Sequence, residues 1–430
     1  MGFSRTLRTA GLGVLAGALL VASAPLAAAD EVRDKQWALQ ALKAEASWKV
    51  SQGSGVTVAV IDDGVNANHI DLQGNVLEGK DFVDGGSPTP APGDNHGTAM
   101  AALIAAHGHG TDDGVKGLAP AAKILPIRDF DSEAGQLGTV IRYAADNGAS
   151  VINVSQCFES SSPFEQAKVS DAVAYALKRD ALVVASAGNQ DEDTKCYPAA
   201  APGALGVGAV KNDGTIWENS ISAPYVSLTA PGTHIFSAAG VGNTYRAGSG
   251  NSDSSAYVAA AAALLRSKFT DLTAGQIANR LVKTAALPDV ARGVSLPDER
   301  YGYGSIQPLA ALTKDIPVGS KYGPLKIPES LDGKPSVDEP SLGMSDAEQE
   351  QADRKALIIW LVIGVVGLVA IGLLVLLIVK LSRRKKGNSG DSDGPSGSAG
   401  YSQHGQQPFP PQQNPYHQPT HTSGQWPPQQ

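Results

Sequence analysis

A serine hydroxyl becomes a useful nucleophile when a base removes its proton. An imidazole serves as that base when a carboxylate holds its tautomer and stabilises its positive charge. The chain carries these groups in the order carboxylate, histidine, serine. Asp62 and Asp63 close the apolar run VTVAVI (56–61), just before Gly64. His96 opens the small-residue stretch HGTAMAALIAA. Residues 248–266, GSGNSDSSAYVAAAAALLR, place Ser249, Ser252, Ser254 and Ser255 ahead of a strongly helix-forming alanine run. Asn189, after ALVVASAG, adds an amide that can face developing negative charge. Each residue also has a plainer use. The aspartates can cap a helix or close a turn, His96 can pack in a turn, Asn189 can follow glycine in a turn, and the serines can be loop or cap hydroxyls.

The runs VTVAVI (56–61), KILPI (123–127), SVINVS (150–155) and ALVVASA (181–187) read as buried strands. Segments between them, TVIRYAADNGA and SDAVAYALKRD, have helical spacing. This alternation predicts an α/β fold, a mostly parallel twisted sheet with helices on both faces. Functional groups in such sheets gather at the carboxyl ends of strands, where Asp62 and Asn189 fall. His96 and Ser252 fall at helix starts, where free N–H groups and the helix dipole favour negative charge. His107 and His109 stand two apart in a Gly-rich loop, but no Cys, Asp or Glu cluster accompanies them. No metal site, calcium loop or cofactor is expected.

In order and wording these stretches resemble the subtilases, the subtilisin-like serine proteases. GVTVAVIDDGVNANHIDL resembles their aspartate motif, HGTAMAALIAA their histidine motif, VVASAGN their oxyanion asparagine motif and NSDSSAYVAAAAALLR their serine motif. The similarity covers about residues 36–313, from QWALQALKAEASW to YGYGSIQPLAAL. The segment order and phrases such as GNVLEGKDFVD look most like the mycosins, membrane-anchored subtilases associated with type VII secretion in actinobacteria. The resemblance implies a subtilisin-like fold and a serine endopeptidase acting on polypeptide. Its catalytic residues would be Asp62, His96 and Ser252, with Asn189 as oxyanion donor.

The family's serine pattern is Gly-Thr-Ser-(Met/Phe)-Ala-x-Pro-(His/Tyr)-Val. Anchored on Tyr257 and Val258, it puts Ser252 on the nucleophile and leaves Ser249, Ser254 and Ser255 as loop or cap hydroxyls. The chain departs from it at Asn251 for threonine, Asp253 for an apolar residue and Ala256 for proline. Asp63 stands where a small serine or threonine is usual. A carboxylate at Asp253 suits a helix's first turn. Beside Ser252 it would disfavour an oxyanion and favour an imidazolium. The cleft strand departs as well: after Ser155 the family has Leu-Gly-Gly, and this chain has Gln156-Cys157-Phe158. Ser155, Gln156 and Cys157 are therefore candidate substrate-binding residues of a narrowed groove with restricted specificity. Cys157 and Cys196 follow neighbouring strand ends, and a disulfide between them is expected to brace the pocket wall.

The 430 residues carry a net charge of -8, without the basic footprint that nucleic-acid binding needs. Two cysteines are too few for a thiolate metal site or a disulfide scaffold. Residues 1–29 read as a secretory signal peptide: basic Arg5 and Arg8, an apolar stretch, then small residues ending at Ala29. Residues 30–313 form the expected catalytic domain. Residues 314–355, rich in proline and acid, read as an extended stalk that cannot bury a core. Residues 356–381 are long and apolar enough to cross a bilayer, and SRRKK follows, which favours a cytoplasmic side for what comes next. Residues 382–430 then form a cytoplasmic tail, Gly/Ser-rich and then Pro/Gln-rich, of disordered composition. The expected protein is a single-pass cell-membrane protein with its catalytic domain outside. Its expected partners are a polypeptide substrate, the membrane through its C-terminal helix, and type VII secretion membrane components. Gly364, Gly367 and Gly372 offer small surface for packing against partner helices. The departures around Ser252 motivate a second reading, a catalytically weak or silent subtilase fold that stabilises a secretion complex.

Overall fold

The computed structural model describes residues 32–129, 134–159, 162–189 and 195–331. The expected signal peptide, the stalk beyond residue 331, the transmembrane helix and the cytoplasmic tail lie outside these residues. In chain order the strands are β1 (Thr57–Asp62), β2 (Lys80–Asp81), β3 (His107–His109), β4 (Asp113–Lys116), β5 (Lys123–Arg128), β6 (Val151–Val154), β7 (Phe158–Glu159), β8 (Leu182–Ser186), β9 (Cys196–Tyr197), β10 (Leu205–Val210), β11 (Val226–Pro231), β12 (Ile235–Ala238) and β13 (Tyr245–Gly248). The helices are α1 (Trp37–Ala41), α2 (Ala44–Trp48), α3 (His96–Ala105), α4 (Ala134–Asp146), α5 (Pro163–Lys178), α6 (Asn251–Lys268), α7 (Ala274–Thr284) and α8 (Pro308–Thr313).

Seven strands form one sheet in the order β11-β10-β8-β6-β1-β5-β2, with every neighbouring pair parallel. The four runs expected as strands are the neighbours β8-β6-β1-β5. They pair in a register that aligns Thr57 with Lys123, Val58 with Val151, and Val151 with Leu182. Both faces of these strands are covered, so their residues are apolar without alternation. Side chains still divide by parity. Val58, Val60, Val151, Leu182 and Val184 join one core with α3 and α6, while Ala59, Ile61, Ile152, Val154 and Val183 join another with α4 and α5. Full burial of each such side chain stabilises the fold by about 1.5–3 kcal/mol.

Helix α6 has no solvent-exposed face before its last two residues. Asn251 through Arg266 are all buried, because α6 lies between the sheet and the helices outside it. Its alanines let it approach the strands closely, and its N-terminus reaches the strands' carboxyl ends. Helix α3 is buried from Gly97 to Ala105 for the same reason.

Segments at both ends of the domain fasten to it. The Trp37 indole donates to Thr233 O at 3.1 Å, the Trp48 indole to Leu118 O at 2.9 Å, and Arg33 Nε to Gly114 O at 2.9 Å. The first part of the segment expected to be an extended stalk, 314–331, instead packs back on the domain. Arg280 Nη2 donates to Lys314 O at 2.7 Å and Asn279 Nδ2 to Pro317 O at 3.0 Å, and Leu325 is buried. Leu325 joins the main core, with Tyr322 and Leu331 packed against it. Among the described residues no helix is long and apolar enough to cross a membrane.

Candidate active site

Asp62 ends β1 and is buried. Both its carboxylate oxygens lie against Nδ1 of His96, at 2.8 and 2.9 Å. An ionised carboxylate only accepts, so Nδ1 carries the proton and Nε2 is left as the basic atom. The His96 ring keeps 31% of its surface exposed. Burial pulls its pKa down, but Asp62 outweighs this, with Asp253 and Asp63 adding, and the pKa is raised to about 9.

His96 is held from below by a residue whose use its sequence position left open. Asp63 accepts from the His96 N–H at 2.9 Å and the Gly97 N–H at 2.6 Å. It therefore caps α3 from another element, while Asn95, at the ordinary cap position, makes no side-chain cap bond. The adjacent aspartates thus divide the work: one orients the imidazole, the other fixes the helix that carries it. Gly97 is required for this approach, since a Cβ there would lie 2.4 Å from Gly64 O and 2.9 Å from Asp62 Cβ.

Ser252 is the second residue of α6 and is 5% exposed. Its hydroxyl donates to Ser155 O, just past β6, at 2.8 Å. In this structure the hydroxyl is turned toward that carbonyl and not toward His96. The other serines are engaged elsewhere. Ser254 Oγ donates to Ala230 O at 2.9 Å, Ser255 Oγ to Ser252 O at 2.8 Å, and Ser249 Oγ accepts from the His234 N–H at 3.0 Å.

Asn189 lies just past β8. Its Oδ1 accepts from the Asn251 N–H at 2.8 Å, which makes the other end of the amide the donor. Asn251 adds a second tie, its Nδ2 donating to Gly188 O. A point one bond out from Gly250 Cα, where a side chain would begin, lies 3.5 Å from Asn189 Nδ2, from the Ser252 backbone nitrogen and from Asp253 Oδ2. The Asn189 amide nitrogen, the Ser252 backbone nitrogen and the Asp253 carboxylate therefore come together beside Gly250.

Residues 53–304 match the subtilase family. The chain is a subtilase. Mycosin-1 of Mycolicibacterium smegmatis is 31% identical over 352 residues, covering 69% of this chain and 76% of that protein. Thermitase of Thermoactinomyces vulgaris is 36% identical over 238 residues, covering 54% and 83%. The crystal structure of MycP1 from the ESX-1 type VII secretion system superposes with a TM-score of 0.60 at 29% identity, covering 67% of this chain and 88% of that one. The subtilase sheet is the mostly parallel one described above, and the protein is a serine protease related to the mycosins.

In this subtilase the three candidate groove residues are placed differently from one another. Ser155 is buried, its Oγ accepting from Asn153 Nδ2 at 2.7 Å, and what it presents to Ser252 is its carbonyl. The Gln156 amide donates to Asp129 O at 2.7 Å and Ile61 O at 3.3 Å, tying together the ends of β5 and β1. Cys157 is bonded to Cys196, with Cα atoms 5.0 Å apart. The bridge joins the turn after β6 to the small β7–β9 ladder and packs beside Gly188, the residue before Asn189. His107 and His109 are spoken for: His109 Nδ1 lies 2.6 Å from Asp71 Oδ1, and His107 Nε2 lies 3.0 Å from Gln73 O.

The cap carries a testable pH dependence. Burial, with Asp62 beside it, raises the Asp63 pKa from 3.8 to about 6, against the pull of its two N–H donors. A carboxyl raised on folding stabilises the fold fully below its unfolded pKa, and that contribution is lost as pH rises through the folded value. Asp63→Asn is therefore expected to remove a stability gain that the parent shows between about pH 6 and pH 4. Thermal unfolding of both proteins across that window checks it, and parallel curves would contradict the assignment.

Proposed function

We propose that this subtilase is a membrane-anchored endopeptidase working outside the cytoplasmic membrane, with Ser252 as nucleophile, His96 as general base, Asp62 as its orienting carboxylate and Asn189 as an oxyanion donor. The observation that carries the reading is the Asp62–His96 pair, which commits Nδ1 to the carboxylate and leaves Nε2 basic beside the α6 N-terminus. Rotation about the Ser252 Cα–Cβ bond would free the hydroxyl from Ser155 O and let it turn toward His96. His96 takes its proton as Oγ attacks the peptide carbonyl, and the oxyanion is held by Asn189 Nδ2 and the Ser252 N–H. His96 then protonates the leaving amine, and water repeats the cycle on the acyl-enzyme.

The apolar segment 356–381 is the proposed anchor, with residues 382–430 in the cytoplasm and the leader 1–29 removed. The relation to MycP1, described as from a type VII secretion system, supports the same association for this chain. A second reading, a structural subunit with little proteolysis, is supported by the Ser252 hydroxyl resting on Ser155 O and by Asp253 beside it.

Fluorophosphonate labelling of the full chain in membranes, with peptide mapping, separates the two. A label on Ser252 that is lost in His96→Ala supports the protease. A folded protein that takes no label while a competent subtilase is labelled alongside supports the structural subunit. Within the protease reading, Asn189→Ala is expected to lower kcat by about 10²–10³-fold with little change in KM, since the amide acts on the oxyanion alone. That magnitude is the one known for the corresponding amide of subtilisin. A loss confined to KM would place Asn189 on the ground-state substrate instead.

A further inference from the structure

We propose that Asp253 is a brake built into the site: its carboxylate faces both His96 and the oxyanion space, and it holds the resting enzyme in an unproductive charge state. The proposal rests on the protease reading above.

The geometry has three parts. Asp253 is the third residue of α6, directly after Ser252, and is buried at 2% exposure. The space beside Gly250 that lies 3.5 Å from Asn189 Nδ2 and the Ser252 nitrogen lies equally 3.5 Å from Asp253 Oδ2. A substrate oxygen held by those donors would meet that carboxylate. The charged and titratable groups facing Asp253 are His96 from α3, Arg246 from β13 and the buried Tyr257 one turn along α6. His96 faces Asp62 and Asp63 as well. The imidazole therefore feels the charge of carboxylates besides Asp62, where orienting it requires one.

Two effects bear on the resting enzyme near neutral pH. A negative charge at the oxyanion space opposes the charge that develops in the transition state. A second carboxylate near His96 stabilises the imidazolium, the form that cannot accept the serine proton. The charge states agree with this. Burial raises Asp253 to about 6, against the pull of Arg246 and His96. With His96 raised and its neighbouring carboxylates adding to that, the pair is biased toward carboxylate and imidazolium near neutral pH. The competent state needs the proton on Asp253 and not on His96. That shift changes no net charge, so it persists as a low, nearly constant population between the two values.

The test compares the full chain with Asp253→Asn, which keeps the side chain's shape, and Asp253→Leu, which removes its charge and its polar atoms altogether. Three measurements are made on each folded protein: kcat/KM on a peptide ester across pH, the midpoint of His96 ring titration by NMR, and fluorophosphonate labelling of Ser252. Both variants are expected to raise kcat/KM near neutral pH by about tenfold or more and to lower the His96 midpoint by about one unit or more. A merely structural role for Asp253 would not lower that midpoint. Labelled Ser252 with no gain in rate, or with an unmoved His96 midpoint, overturns the brake and leaves the protease reading standing. No label in parent or variants overturns the protease reading, and the brake with it.

Discussion

Ser252→Ala is expected to lower kcat by about a million-fold while leaving the fold almost unchanged. The size is the one known for loss of the nucleophile in subtilisin, about 8 kcal/mol of barrier, and is carried over on family grounds. The contrast with stability comes from this structure. Ser252 Oγ makes one hydrogen bond, to Ser155 O, and the loss of such a bond costs about 1 kcal/mol. Ser254→Ala and Ser255→Ala are expected to reverse the pattern. Their hydroxyls bond buried carbonyls of β11 and α6, so stability falls by about 1 kcal/mol each with labelling of Ser252 retained. Single-turnover hydrolysis beside thermal unfolding reads both quantities. A Ser252→Ala protein that still cleaves would remove Ser252 from the chemistry. One that folds normally but no longer supports the proposed secretion role would tie that role to cleavage.

The second large effect falls on stability. Cys157 and Cys196 are 39 residues apart, and a cross-link of that span removes enough freedom from the unfolded chain to stabilise the fold by about 4 kcal/mol. Loss of this amount is a large share of the roughly 5–15 kcal/mol that holds an ordinary domain. The Cys157→Ser, Cys196→Ser double variant is therefore expected to unfold about 8 °C or more below the parent. The cut has a functional side. The bridge packs against Gly188, and the same loops set Asn189 and the Ser155 carbonyl. kcat is expected to fall along with stability, in contrast to Ser254→Ala. A double variant within about 1 kcal/mol of the parent would show that the two loops are held by the β7–β9 pairing and local packing alone.

The sequence by itself determined the middle of the sheet, because β8, β6, β1 and β5 are buried on both faces and must be continuously apolar. The outer strands were less legible. LGVGAV of β10 and VSLTAP of β11 mix glycine, serine and threonine with apolar residues, and β2 is two residues long. The order of Asp62, His96, Asn189 and Ser252, each at an element end, was also legible, since chemistry at strand ends leaves polar residues where apolar runs stop. Only the tertiary structure decided what lies across the gaps in chain position. Asp63 caps a helix that begins 33 residues later, and no local pattern reports such a contact. Gln156 offers its amide to the ends of β5 and β1, although its position suggested the groove. Residues 314–331 have too few apolar groups to make a core of their own, yet Leu325 is buried in the domain's core, because burial depends on the partner surface as well as on the segment. The direction of the Asp253 carboxylate belongs to the same class. Its residue type announced a charge beside Ser252, and the tertiary structure brought His96 and Arg246 close to it.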